Sequence, residues 1–148
     1  MNHEQFIRET YLLANRAAKR GDHPFGALLV RDGVVLATAE NTVITSRDRT
    51  RHAELNILRD TPKNVGPDWF TGSILYTSTE PCVMCSGAIY WSGVSTVVFG
   101  CSAELLAEFA GGDMVIPCKE IFPRGKRTVI TIGPVLEEEG ALIHKNFW

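Results

Sequence analysis

The 148-residue sequence predicts an α/β fold, a three-layer α/β/α sandwich built on a central mixed five-stranded sheet. Three observations predict it. Runs rich in β-formers alternate with segments of helical spacing in the order αββαβαβαβα. The first two runs are separated only by Asp32-Gly33, a pair that supplies the positive φ angles of a tight antiparallel hairpin. The third and fourth runs are joined through a helix, which makes them parallel with a right-handed crossover.

Taken in order, residues 4–20 (EQFIRETYLLANRAAKR) bring Phe6, Leu13 and Ala17 to one helical face, with Asn2 as cap and Gly21 as stop. Residues 25–31 and 34–40 are the hairpin strands. Residues 52–59 read as a helix that buries Ala53, Leu55, Ile57 and Leu58, with Pro62 beyond its end. Residues 73–78 (SILYTS) form the third strand. Pro81 opens a helix running to Ser92, because the first turn has no helical partner for the N–H that proline lacks. A fourth strand over 94–99, a short helix over 103–109, a fifth strand over 128–132 and a last helix over 136–145 complete the order. The unassigned intervals 41–51 and 110–127 are long for connections, and they are expected to form the rim of a site.

The length fits one domain over residues 1–148, able to bury about 70% of the surface its unfolded chain exposes. The longest apolar runs, 26–30 and 94–99, fall far short of the roughly 20 residues that span a bilayer. The N-terminal Met1-Asn2-His3-Glu4-Gln5-Phe6 has no basic lead into an apolar stretch, so no secretory signal is expected. A cytoplasmic location follows, and with it four reduced cysteines, Cys82, Cys85, Cys101 and Cys118. A formal charge of -2 and a pI near 6.1 supply no basic field for a phosphate backbone. The composition therefore argues for a small neutral substrate over a polynucleotide, and against a membrane.

Two helices begin with potential metal ligands, His52 on one and Cys82 with Cys85 on the other. Cysteines three apart share a helix face, so both sulfurs can reach one tetrahedral ion while His52 supplies a nitrogen. Three protein ligands leave a fourth position for a water or hydroxide, the mark of a catalytic zinc, so one Zn2+ per chain is expected. The positive end of a helix favours thiolate in the turn that carries the cysteines. Glu54, two residues after His52, can reach such a water without coordinating the metal, as a proton shuttle must. A structural zinc completed by Cys101, Cys118 or His23 leaves Glu54 unexplained, and a thioredoxin-like redox pair leaves both His52 and Glu54 unexplained. Cys101 and Cys118 read as small core or wall residues. His3 and His144 read as solvated near the termini, His23 could face solvent or the site, and Glu137-Glu138-Glu139 reads as a solvated first helical turn.

His52-Ala53-Glu54 followed by Pro81-Cys82-Val83-Met84-Cys85 is the H-x-E…P-C-x-x-C signature of zinc nucleobase deaminases. By these residues the chain resembles the cytidine deaminase-like superfamily, and between about residues 22 and 113 it looks most like bacterial guanine deaminases and related purine deaminases. The resemblance implies hydrolytic release of ammonia from guanine or a related aminated purine. It implies that Asn41 hydrogen-bonds the purine, that Phe25 and Trp91 flank it, that Ala53 lines the pocket, and that Asp113 is an auxiliary contact or proton shuttle. It also implies a homodimer or larger assembly whose neighbouring chains line part of each pocket.

Phe147-Trp148 either closes over the site, as a family aromatic does, or joins the core. The sequence departs from the family at Arg49 and Arg51 ahead of His52 and at Gly111-Gly112 ahead of Asp113, changes expected to admit a larger or more anionic substrate. A tRNA adenosine deaminase shares the Glu80-to-Cys85 motif and is the alternative, although those enzymes usually carry a basic C-terminal tail. Cytosine or another aminated heterocycle comes third.

Overall fold

Local rules start the first helix where the sequence places it. In α1 (His3–Arg20), Asn2 Oδ1 accepts the Gln5 amide at 3.1 Å, and Gly21 closes the helix in the left-handed region at φ 98°. The computed structural model describes residues 2–61, 68 and 70–148. Strands β1 (Gly26–Arg31) and β2 (Val34–Glu40) pair antiparallel across Asp32 (φ 52°) and Gly33 (φ 75°), the hairpin expected from that dipeptide.

β1 also pairs antiparallel with β3 (Ile74–Thr79), while β3, β4 (Thr96–Cys101) and β5 (Ile130–Ile132) run parallel. The sheet order is β2-β1-β3-β4-β5, a mixed five-stranded sheet.

The period-two alternation of the strands divides the core into two layers. Ala27, Leu29, Leu75, Val97 and Phe99 face Ile57, Leu58 and Ile89 of α3 (Ala53–Asp60) and α4 (Val83–Ser92). Leu28, Val30, Tyr76 and Val98 face Ile7, Tyr11 and Leu13 of α1, with Ile143 of α7 (Glu137–Phe147) packed against them. α1 lies so close to β1 that a Cβ on Gly26 would sit 2.5 Å from the Thr10 carbonyl and 2.6 Å from Leu13 Cβ, so only glycine fits there. The three-layer α/β/α architecture agrees with the sequence expectation. No helix among the described residues is long and apolar enough to cross a membrane.

The differences lie at helix starts, in the two long intervals and in the strand bounds, where β4 runs two residues later than the expected 94–99 and β5 begins two residues later than the expected 128. α3 begins at Ala53 and α4 at Val83, so His52 and Cys82 are extended N-cap residues, and Pro81 precedes the cap of its helix. The stretch after β2 contains α2 (Val43–Ser46), and the stretch after α5 (Ala103–Ala110) contains α6 (Cys118–Ile121) and a 3-10 turn over Phe122–Arg124. Four-residue helices are too short for periodicity to reveal. Pro62 lies outside the described residues.

α2 is held from a distance. The Asp22 carboxylate accepts from the amides of Ile44 (2.9 Å) and Thr45 (2.8 Å), from Thr45 Oγ1 (2.6 Å) and from Arg20 Nε (2.7 Å). Burial would raise its pKa, but the Thr45 and Arg20 donors outweigh that and hold it down at about 2. A carboxyl depressed in the folded state contributes stability above its unfolded pKa of about 4, and this is lost as pH falls towards 2. Asp22→Asn is therefore expected to cost about 1–3 kcal/mol at pH 7 and to flatten the acid limb between about pH 4 and 2, as read from denaturant midpoints.

Candidate active site

β3 runs directly into Glu80-Pro81-Cys82, and α3 packs beside α4, so the starts of these two helices meet at one end of the sheet. Cys82 at the cap and Cys85 one turn on lie on the same side of α4. His52 Nδ1 stands 3.7 Å from Cys82 Sγ and 3.5 Å from Cys85 Sγ, and the three donor atoms all lie within 4.8 Å of one another. A tetrahedral zinc with bonds of about 2.3 Å to sulfur and about 2.0 Å to nitrogen has N···S edges of about 3.5 Å. The donor set therefore fits one such ion as it stands, and it is the group among the described residues that could hold a metal.

The electrostatics suit a cation. The Cys85 hydrogen bond, opposed by burial and aided by His52, brings the Cys82 thiol down to about 4. Cys85 moves up, because it donates to Cys82 and is buried. His52 moves up through its hydrogen bond to Cys82, against its own burial. Glu54, in the first turn of α3, is only 7% exposed. Burial, and then the Cys82 charge, push its carboxyl up to about 7, with His52 opposing. A buried carboxyl poised near neutrality beside two sulfurs and an imidazole can both take and give a proton.

The remaining predicted residues are placed unevenly. Ala53 is buried between His52 and Glu54. Asn41 is buried at the end of β2; its amide donates to the Phe25 carbonyl at 3.0 Å and its Oδ1 accepts the Val43 amide at 3.0 Å, leaving Nδ2 without a hydrogen-bond partner among the described residues. A cavity of about 160 Å³ beside Cys82 is lined by Asp113 together with Leu106, Ala107, Val115 and Ile116.

Trp91 is not brought to this cluster within the chain. It is 84% exposed in the last turn of α4, six residues (about 9 Å) beyond Cys85, and edge-on to Tyr90. Cys85 and Ile89 take the inward face of α4, and Trp91 falls about 200° around from Ile89.

Two histidines correct the sequence reading. His3 Nδ1 lies 2.8 Å from the Tyr76 hydroxyl. His144 is 2% exposed rather than solvated, with Nε2 2.8 Å from Thr79 Oγ1 and Nδ1 accepting the Trp148 indole N–H at 3.2 Å. An indole N–H only donates, so Nδ1 is the acceptor and Nε2 carries the proton; burial lowers the His144 pKa to about 4, in keeping with a neutral ring.

Phe25 packs 5.4 Å from that ring, and His23 packs 5.3 Å from Trp148 and 6.4 Å from Phe147. Burial and then the His52 charge lower the His23 pKa. Phe147 and Trp148 are 36% and 43% exposed, so they are not core. The His144–Trp148 spacing of four is the one signal in the sequence for this contact.

Residues 1–101 match the family described as the cytidine and deoxycytidylate deaminase zinc-binding region. The guanine deaminase of Bacillus subtilis (strain 168) is 42% identical over 131 residues, covering 87% of this chain and 83% of its own. A probable cytosine deaminase of Schizosaccharomyces pombe is 33% identical over 153 residues, covering 97% of this chain and 90% of its own. A solved structure from a study of A-to-I editing by tRNA:A34 deaminases superposes with a TM-score of 0.78 at 28% identity, over 94% of this chain and 98% of that one. With the motif spacing, the mixed sheet and the His52–Cys82–Cys85 cluster in agreement, the chain belongs to the zinc-binding cytidine and deoxycytidylate deaminase family of hydrolases acting on C–N bonds.

Proposed function

We propose that residues 1–148 act as one deaminase domain that hydrolyses a small aminated purine, guanine first, to its oxo form and ammonia. The observation that carries this reading is the buried Glu54 carboxyl beside the His52–Cys82–Cys85 cluster, and the likeness to a guanine deaminase supports the substrate. His52, Cys82 and Cys85 hold one Zn2+, which when bound supplies Lewis-acid activation of water. Glu54 accepts a proton from the attacking water, delivers it to the ring nitrogen, and passes the next to the departing amine, so that ring C–NH2 and water become ring C=O and ammonia.

Around that centre, Asn41 Nδ2 is available to a purine acceptor, Phe25 flanks the ring, Ala53 lines the floor, and Asp113 is the auxiliary contact across the cavity beside Cys82. The exposure of Trp91 supports a homodimer in which this side chain flanks the purine in a neighbouring copy's pocket. Of the two arginines that depart from the family, Arg51 is engaged with Asp60 at 3.2 Å, while Arg49 stays exposed and its charge acts on His23. A substrate with an anionic substituent would meet Arg49. The four free cysteines fit a cytoplasmic location.

A second reading, deamination of adenosine in transfer RNA, is favoured by the structural likeness to tRNA:A34 deaminases, although a net charge of -2 weakens it. Ammonia release by zinc-loaded protein from guanine, guanosine, adenine, adenosine, cytosine and a tRNA anticodon stem separates them. Turnover of free guanine is expected; activity confined to the RNA would replace the purine reading, and activity on cytosine alone would replace both.

A further inference from the structure

The cavity beside Cys82 has a wall, residues 103–117, that contributes no residue to the buried core, whereas Cys118 at its far end is buried in it. α5 has no fully buried residue, and residues 111–117 form no helix or strand before α6 begins. α5 packs against α7 through half-buried residues only, so hydrophobic packing restrains it weakly and polar anchors at its ends add to its placement. Glu137 Oε2 accepts the Ser102 amide at 2.8 Å, and Glu80, two residues before Cys82 and 7% exposed, supplies the others. Its Oε1 accepts the Ala103 amide at 3.0 Å, its Oε2 accepts the Cys118 amide at 2.9 Å, and its own amide donates to the Cys101 carbonyl at 2.7 Å. Ala103 and Cys118 are the first residues of α5 and α6, so one carboxylate ties both ends of the wall to the strand end that leads into the metal-binding turn.

We propose that Glu80 is a positioning residue for substrate, acting through this wall. The inference rests on the reading of the cavity as the substrate pocket. Glu80 holds Asp113, Val115 and Ile116 at a set distance from Cys82, and with them the width available to the ring. Glutamine at this position keeps the size of the side chain but turns one acceptor into a donor facing a backbone N–H, so one end of the wall is released.

Two variants of the zinc-loaded full chain test this. Glu80→Gln alters the carboxylate. Ala103→Pro leaves the carboxylate intact and removes the N–H it accepts, at a first helical position where proline is tolerated and after Ser102, which already has the extended backbone (φ -70°, ψ 154°) that precedes a proline. Both are expected to retain zinc and to raise KM for guanine about tenfold or more with kcat within about twofold, the scale of losing a hydrogen bond to a charged group. Hydrogen exchange at Gly111 should accelerate about tenfold in both variants, and at Cys118 in Glu80→Gln.

A lowered melting temperature with KM unchanged would make Glu80 merely structural and overturn the proposal, as would unchanged exchange at Gly111. Should Glu80→Gln fail to fold, Ala103→Pro decides the same question. Should the unaltered protein not turn over guanine, the purine reading fails, and the exchange rates still decide whether Glu80 holds the wall.

Discussion

Glu54→Gln is expected to lower kcat for ammonia release by about a thousandfold or more while leaving zinc content unchanged. The side chains are nearly isosteric, so the packing around α3 survives, and the variant loses only the capacity to accept and release a proton. General acid–base catalysis by one positioned group contributes about 10²–10⁴-fold, and here one carboxyl serves successive transfers. Stability should move the other way. The folded pKa of Glu54 is raised from 4.5 to about 7, so its contribution is fully present below pH 4.5 and is lost as pH rises through 7. Above pH 7 the metal-free wild type carries the penalty of a buried carboxylate, which the neutral amide of the variant does not, and the metal-free variant should melt at an equal or higher temperature. Turnover at a wild-type rate would remove Glu54 from the proton path.

Cys85→Ala is expected to abolish stoichiometric zinc binding and to lower the melting temperature by about 8–16 °C. Cys85 is fully buried and its sulfur is 3.5 Å from His52 Nδ1, so alanine leaves two ligands and an unfilled space beside an imidazole. Binding energy for a metal that the unfolded chain does not hold is folding energy, about 4 kcal/mol at a thousandfold excess over Kd. One kcal/mol corresponds to about 2–4 °C for a domain of this size. Wild-type protein stripped by a chelator should melt close to the variant, because both lack the same term. A variant that kept one zinc per chain would show that the ligand set is different.

Both experiments act on residues that are legible in the sequence, and the reason is local. Cys82 and Cys85 share a helix side whatever surrounds them, because their separation is one turn. His52 and Glu54 are tied to each other by a separation of two. The hairpin at Asp32-Gly33 and the end of α1 at Gly21 are legible for the same reason, since a positive φ is a property of the residue that adopts it. The five strands and their alternating faces follow from a period of two.

What the sequence by itself determined was therefore everything set within a few residues: the order of the strands and longer helices, the α/β class, the metal-binding motif and the nearby carboxyl. Only the tertiary structure decided the rest. His144 is buried because Thr79, 65 residues away, meets its ring. α2 exists in its place because Asp22, on another loop, receives its amides. Trp91 faces outward because Ile89 and Cys85 claim the inner side of its helix. Glu80 holds two helix starts that are 15 residues apart in the chain. Each of these depends on hydrogen bonds or packing closed by the folded backbone, and no local period or propensity encodes the partner of a contact made across the fold.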